Sequence, residues 1–174
     1  VMLKPVVLVG MMGSGKTTVG KRLAAKLSVE FVDTDDLVVA RAGKSVRDVF
    51  SQDGEAEFRR LESLAVRDAL GRDGAVVAAA GGTVLSAENR SLMAEQSRCV
   101  VWLDADVGTL TKRTSRGAHR PLLDERPEER LTAMDAQRRS LYESVADVRI
   151  DTANKQVDAV VNDVLTALQK VHAS

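Results

Sequence analysis

The chain has 174 residues, a length typical of one globular domain with its own core. Its 25 Lys and Arg residues balance 25 Asp and Glu residues, and this zero net charge excludes a general binder of nucleic acids or membranes. Aromatic residues make up only 3% of the chain, which excludes base-stacking surfaces, and the single cysteine excludes a disulfide framework.

The first predicted element is a buried strand over Val6–Val9, and a phosphate-binding motif follows it. The motif has the spacing G-x-x-x-x-G-K-[ST] between Gly10 and Thr17, and apolar residues at helical spacing then predict a helix over Lys16–Leu27. Backbone N–H groups of such a loop point at phosphate oxygens, and the helix N-terminus adds partial positive charge. Lys16 is expected to reach the outer phosphates and Thr17 to bind Mg²⁺. The predicted nucleotide-binding residues of this motif are Gly13, Ser14, Gly15, Lys16, Thr17 and Thr18.

Two carboxylates follow the second predicted strand, Phe31–Asp33. Parallel α/β sheets bind ligands beyond the carboxyl ends of their strands, so Asp33 and Asp35 are expected beside the P-loop. One carboxylate could hold a Mg²⁺-bound water, and we assign Asp33 to the metal. The other could orient or deprotonate an attacking hydroxyl, and we assign Asp35 to that role. The alternative is that one of them caps the next helix, predicted over Asp35–Ala42.

Short helices are expected between residues 34 and 53, because Gly43 ends one helix and Ser45 can cap another. A longer helix is predicted over Glu55–Leu70. Arg59 lies beside its apolar stripe, with Glu62 three residues later. Without further context, an arginine between glutamates is a solvated ion pair.

A third strand is predicted over Ala75–Ala80, and the two glycines that follow it, Gly81 and Gly82, allow close approach of a ligand. Residues 115–126 have no periodicity, contain Arg120 and are predicted to form a mobile lid. Arg113 is predicted at the carboxyl end of a helix, where a cation is favoured in any case, and Arg120 and Arg138 could equally be surface charges. The remaining predicted elements are helices over Ala87–Glu95, Val107–Thr114, Pro127–Ser144 and Val157–Val171, and strands over Cys99–Leu103 and Val148–Asp151.

The alternation of short apolar runs with helical patterns predicts an α/β fold with a doubly wound, five-stranded parallel sheet in one domain, residues 1–174. No segment has the length of a membrane span or the pattern of a signal peptide, so we expect a cytoplasmic protein. We expect a small-molecule substrate, a monomer, and no nucleic-acid or membrane partner.

Taken together, these residues resemble the shikimate kinase family, a group of P-loop kinases related to nucleoside monophosphate kinases. The resemblance covers essentially the whole chain and follows its order. Its motifs are the P-loop, Asp33-x-Asp35, Phe58-Arg59-x-x-Glu62, Gly81-Gly82, His119-Arg120-Pro121-Leu122-Leu123 and Arg138-x-x-Leu141-Tyr142.

The resemblance implies transfer of the γ-phosphate of ATP to the 3-hydroxyl of shikimate, with Mg²⁺, in aromatic amino-acid biosynthesis. It implies a substrate-binding region at about 34–62 and a lid at about 115–126. Arg59 and Arg138 would bind the shikimate carboxylate, which suits the bidentate geometry of guanidinium groups. By the same resemblance, Asp35 would hold the hydroxyls and Gly81 and Gly82 would contact the acid. By the resemblance, Arg120 would extend from the lid to the phosphates of ATP. Arg113 and Lys155 would lie against the adenine.

Three departures from the family pattern stand out. Ala80 occupies a position where the family usually has a third glycine. The loop after Asp151 carries Lys155 and lacks the proline that is usual nearby. The stretch between Arg120 and Arg138 is about one residue shorter than in some relatives.

Two kinds of alternative remain open on sequence grounds. One is another small-molecule kinase of the same fold, acting on aminoshikimate, gluconate or a nucleotide, although no aromatic set for base recognition is present. The other is a non-catalytic binding protein, in which loss of the Asp-x-Asp pair or of an arginine would be expected.

Overall fold

Residues 2–116 and 126–172 are described by a computed structural model. Its strands are β1 (Val6–Val9), β2 (Phe31–Asp33), β3 (Val76–Ala78), β4 (Cys99–Asp104) and β5 (Val148–Asp151). All pairings are parallel, and the strand order is β2-β3-β1-β4-β5. The predicted five-stranded parallel sheet is therefore confirmed, with the strand that precedes the P-loop at its centre.

The seven helices that were predicted with bounds match the described ones to within one residue at each end. The described helices are α1 (Lys16–Leu27), α2 (Thr34–Ala42), α3 (Val46–Asp48), α4 (Gly54–Leu70), α5 (Ala87–Gln96), α6 (Val107–Ser115), α7 (Pro127–Val145) and α8 (Val157–His172). Of these, α3 is the short helix that Ser45 was expected to cap. A π-helical turn over Val49–Asp53 joins α3 to α4, which the sequence did not indicate. No described helix is both long and apolar enough to cross a membrane.

Apolar residues cover both faces of the sheet, as a doubly wound fold requires. Alternate residues of β1 point to opposite faces, so Val7 joins the cluster under α4, α5 and α7, and Leu8 joins the cluster under α1 and α8. Both side chains are fully buried. The sheet is thereby fixed between two helical layers, and the ends of its strands form a rigid base for a site.

Strand β3 ends two residues earlier than predicted. The backbone N–H of Ala80 donates to the Thr34 hydroxyl at 2.9 Å instead of continuing the ladder with a neighbouring strand. The chain therefore turns away from the sheet at Ala80 and leads into Gly81 and Gly82. Because all strands are parallel, this turn, the P-loop and the Asp33 segment lie at one edge of the sheet.

Candidate active site

The P-loop joins β1 to α1, and its backbone conformation requires glycine at several positions. Gly10, Gly13 and Gly15 all have positive φ angles, of 147°, 82° and 98°. A Cβ on Gly10 would lie 2.5 Å from the Leu103 carbonyl oxygen, too close for any side chain. The loop therefore adopts the tight turn that directs N–H groups toward an anion at the N-terminus of α1.

Lys16 and Thr17 begin α1 and carry the polar groups of the loop. The Lys16 Nζ donates to the carbonyl oxygens of Gly10 and Met11, at 2.8 and 3.0 Å. The Lys16 ammonium thus lies folded over the loop, where it can exchange these carbonyls for phosphate oxygens.

Asp33 caps the helix that follows it, and its second carboxylate oxygen faces the P-loop. One oxygen, Oδ1, accepts from the Asp35 N–H at 2.9 Å and caps α2. The other, Oδ2, accepts from the Thr17 hydroxyl at 3.1 Å. A carboxylate and a hydroxyl in contact at the mouth of a phosphate-binding loop are the oxygen donors that Mg²⁺ prefers. The described residues contain no cluster of three His, Cys, Asp or Glu side chains that could hold a metal, so a Mg²⁺ ion here would take its further ligands from water and phosphate oxygens.

Arg59 extends from α4 and lies against Gly82. A Cβ on Gly82 would lie only 2.3 Å from the Arg59 Nη1 and 3.1 Å from its Cζ, so the missing side chain of Gly82 makes room for the guanidinium. The Arg59 Nη1 also donates to Glu62 at 2.8 Å. The carboxylate of Glu62 is almost fully buried, with a side chain 3% exposed. Arg59 is therefore held in the cleft, and is not a solvated helix charge.

Glu62 is an acidic group inside a largely basic neighbourhood. Burial raises the pKa of its carboxyl, the charge and hydrogen bond of Arg59 lower it, the charge of Asp35 raises it, and the charge of Arg138 lowers it. Its Oε1 has no hydrogen-bond partner among the described residues. The electrostatic influence of Asp35 on Glu62 also indicates that Asp35 lies on this side of the cleft.

Arg138 reaches the same pair of glycines from a different helix, α7. It is 5% exposed, and its Nε has no hydrogen-bond partner among the described residues. A Cβ on Gly81 would lie 3.4 Å from the Arg138 Nη1. Two guanidinium groups from two separate helices therefore converge on Gly81 and Gly82. Such a pair is suited to bind a carboxylate.

Apolar side chains form a further wall of this half of the cleft. Phe50 and Phe58 have ring centroids 4.3 Å apart, and Val46 lines the cleft beside them. The Arg59 guanidinium lies over the Phe58 ring, with Cζ 5.2 Å from its centroid. An acceptor bound here would contact charge at one end and apolar surface along one side.

On the other side of the P-loop, Arg113 connects two loops. Its Nη1 donates to the Gly13 carbonyl at 3.3 Å and to the Thr152 hydroxyl at 3.0 Å, and its Nη2 donates to the Thr152 carbonyl at 2.7 Å. Thr152 is 2% exposed and follows β5 directly. Lys155 lines the cleft here, with its ammonium paired to Asp163 at 2.9 Å.

One cleft of about 470 Å³ contains every predicted site residue that the structure describes. Arg120 and most of the predicted lid lie outside the described residues. The predicted residues that line the cleft are Gly13, Ser14, Gly15, Lys16, Thr17, Thr18, Asp33, Asp35, Arg59, Gly81, Gly82, Arg113, Arg138 and Lys155.

Three residues of this site were not predicted as functional: Glu62, Tyr142 and Thr152. Glu62 and Tyr142 each end a motif of the shikimate kinase family, and those motifs could have identified them from the sequence. Thr152 follows the last strand at the ligand-binding edge, and that position was a weaker signal. Each of them contacts a predicted binding residue or its loop.

The fold and this two-sided cleft together define a kinase of the P-loop class that acts on a small acceptor. The family model described as shikimate kinase matches residues 12–169. The chain therefore belongs to the shikimate kinase family. A shikimate kinase of Symbiobacterium thermophilum is 46% identical over 168 residues, which are 95% of this chain and 96% of that protein.

Solved structures agree with this family assignment. A shikimate kinase from Acinetobacter baumannii in complex with shikimate is 33% identical, with a TM-score of 0.91 over 97% of this chain and 94% of that one. A gluconokinase from Sinorhizobium meliloti is 20% identical, with a TM-score of 0.67 over 96% of this chain and 92% of that one, and shares the fold alone.

Proposed function

We propose that this protein transfers the γ-phosphate of ATP to the 3-hydroxyl of shikimate, giving shikimate 3-phosphate and ADP for aromatic amino-acid biosynthesis. The observation that carries the proposal is the convergence of Arg59 and Arg138 on Gly81 and Gly82, in the same cleft as the P-loop. Shikimate has a carboxylate at one end and hydroxyls at the other. The arginines fit the first, and Asp35 fits the second.

Phosphoryl transfer depends mostly on alignment and on stabilisation of negative charge. Lys16 and the N-terminus of α1 bind the phosphates, and Arg113 lies beside the adenine with Lys155 near it. Thr17 and Asp33 would hold Mg²⁺, which supplies positive charge to the β- and γ-phosphates. Asp35 orients the attacking hydroxyl and accepts its proton. Arg120, on the lid at about 115–126, adds charge to the phosphates.

The proposal also includes a single domain over 1–174, with the acceptor bound by the region at about 34–62. We expect a cytoplasmic monomer. Because the net charge is zero, we expect no nucleic-acid or membrane partner. Closure of the lid excludes water, which would otherwise compete with shikimate for the phosphate.

A coupled ADP-release assay with ATP, Mg²⁺ and shikimate tests this function. Parallel reactions contain aminoshikimate, gluconate or a nucleoside monophosphate, and phosphorus NMR identifies the hydroxyl that is phosphorylated. We expect the highest kcat/KM with shikimate, and a loss on the order of 10³-fold in the Lys16→Ala control. No turnover with millimolar shikimate, or a higher kcat/KM with another acceptor, refutes the proposal.

A further inference from the structure

The part of the cleft that contains Arg59, Arg138, Gly81 and Gly82 is called here the acid-binding half. Tyr142 lies behind it, on α7 one turn after Arg138. Its side chain is 1% exposed, and it is not among the residues that line the cleft. Its hydroxyl donates to the Gly81 carbonyl oxygen at 2.6 Å. This contact joins α7 to the loop after β3, across 61 positions of the chain. The backbone of that loop is thereby tied to the helix that carries Arg138.

The Tyr142 hydroxyl and the Arg138 guanidinium meet above Gly81. A Cβ on Gly81 would lie 3.5 Å from the Tyr142 oxygen and 3.4 Å from the Arg138 Nη1. The positive charge of Arg138 also acts on this hydroxyl and lowers the pKa of Tyr142. A phenol oxygen can donate one hydrogen bond while it accepts others. While Tyr142 donates to Gly81, its oxygen therefore keeps a lone pair that faces the positive charge of Arg138.

The hydroxyl keeps its proton under working conditions. Burial raises the pKa of Tyr142 to about 12, although the nearby positive charge of Arg138 opposes the shift. The groups that act on it are Arg138 and, more weakly, Asp135 on its own helix and Glu62 on α4. The donor to Gly81 is therefore present throughout the neutral pH range.

The central sheet determines where the Tyr142 ring lies. The ring stacks on Trp102 of β4, with centroids 5.9 Å apart and an angle of 29° between the planes. Trp102 is 3% exposed and lies in a strand whose residues are all buried. Because the ring is held from behind by the core, its hydroxyl is a fixed reference for Gly81 and Arg138.

We propose that Tyr142 is a positioning residue for the acid-binding half of the site. Its hydroxyl holds the Gly81 carbonyl and the Arg138 guanidinium in the arrangement that receives the carboxylate of the acceptor. The inference rests on the proposed function, because that carboxylate is the one of shikimate. It assigns no contact between Tyr142 and substrate.

The variant Tyr142→Phe tests the proposal, because it removes one oxygen atom and retains the stacked ring. Steady-state kinetics should give a rise of about 10-fold in the KM for shikimate, from the lost hydrogen bond and the unpaired Gly81 carbonyl. The KM for ATP should stay within about twofold of the wild-type value, because the nucleotide half is untouched, and kcat should change less than the shikimate KM.

A double-variant comparison tests whether Tyr142 acts through Arg138. In the Arg138→Lys background the same Tyr142→Phe change should raise the shikimate KM by about threefold or less, because the guanidinium that it positions is already lost. The matched control on the same helix is Ser144→Ala. The hydroxyl of Ser144 is exposed and donates to the Leu141 carbonyl at 2.8 Å, and its loss should change neither KM.

The outcomes separate this inference from the proposed function. A wild-type protein without shikimate turnover refutes the proposed function itself. If the wild-type protein phosphorylates shikimate normally, three results for Tyr142→Phe would refute the role of Tyr142 alone. These are an unchanged shikimate KM, an equal rise in the KM for shikimate and for ATP, and an equal effect in the Arg138→Lys background. If the variant is less stable, calorimetric Kd values for shikimate and ADP replace the kinetics, because they report the folded molecules. A selective rise in the shikimate Kd then supports the role, and any other result overturns it.

Discussion

Gly82→Ala is expected to impair shikimate binding without damage to the fold. The backbone at Gly82 has φ −87° and ψ −5°, which alanine adopts without strain. The new methyl group would begin 2.3 Å from the Arg59 Nη1, whereas ordinary contacts between heavy atoms are about 3.5 Å or more. The guanidinium must therefore move by roughly 1.2 Å, and a misplacement of about 1 Å can cost on the order of 10²-fold in rate.

We expect kcat/KM for shikimate to fall 10- to 100-fold, and the KM for ATP to stay unchanged. Removal of a glycine stabilises the fold by about 0.4–1 kcal/mol, whereas loss of the contact between Arg59 and Glu62 costs about 1–3 kcal/mol. These effects oppose each other, so the free energy of unfolding should fall by less than about 3 kcal/mol from the wild-type value.

The control for this variant is Gly71→Ala. Gly71 has nearly the same backbone conformation, φ −79° and ψ −2°, at the end of α4, and a Cβ there would lie 3.4 Å from its nearest neighbour, the Asp68 carbonyl oxygen. Steady-state kinetics and denaturant unfolding on both variants provide the comparison. A Gly82→Ala protein with shikimate kcat/KM within twofold of wild type would contradict the assignment of Arg59 to the acceptor.

The remaining predictions concern the metal, the nucleotide and pH. Asp33→Asn should raise the Mg²⁺ concentration for half-maximal activity by about 10-fold or more, because the carboxylate beside Thr17 is replaced by a neutral amide. An unchanged Mg²⁺ titration would count against the metal site. Thr152→Val should raise the KM for ATP by about fivefold and leave that for shikimate unchanged, because Arg113 loses one of its two contacts with this residue. Burial raises the pKa of Glu62, so this carboxylate becomes protonated at a higher pH than an ordinary glutamate. The KM for shikimate should therefore begin to rise at that higher pH on acidification, and Glu62→Gln should remove this pH dependence. The same raised pKa means that the contribution of Glu62 to the free energy of unfolding increases as pH falls through that range, which acid unfolding of wild type and variant can measure.

Local signals in the sequence were sufficient for most of the fold. The apolar runs of Val6–Val9 and Val148–Asp151 predicted their strands to the residue. The end of β3 was wrong by two residues, because it depends on a hydrogen bond from Ala80 to Thr34, 46 positions away in the chain. The π-helical turn over Val49–Asp53 likewise had no pattern of its own.

The residues of the site were likewise predictable where they belong to a continuous motif, and their contacts were not predictable where they join distant parts of the chain. The P-loop is one continuous motif, so its residues were identifiable together. Spacing alone could not reveal that Glu62 is buried, because an (i, i+3) pair with Arg59 looks the same on an exposed helix face. The fit of Arg59 against Gly82 was equally hidden, since it brings together two elements that are far apart in the chain.

Trp102 is the only tryptophan in the chain, and the sheet places it directly behind the acid-binding half of the cleft. The Arg139 and Arg149 guanidinium groups lie 5.2 and 4.8 Å from its ring centroid. Indole emission responds to nearby charge, so the molecule carries an intrinsic optical probe of its acceptor side. We expect acceptor binding to change this emission through Tyr142, which stacks on Trp102 and contacts Gly81, so a titration can be attempted without an attached dye and without turnover.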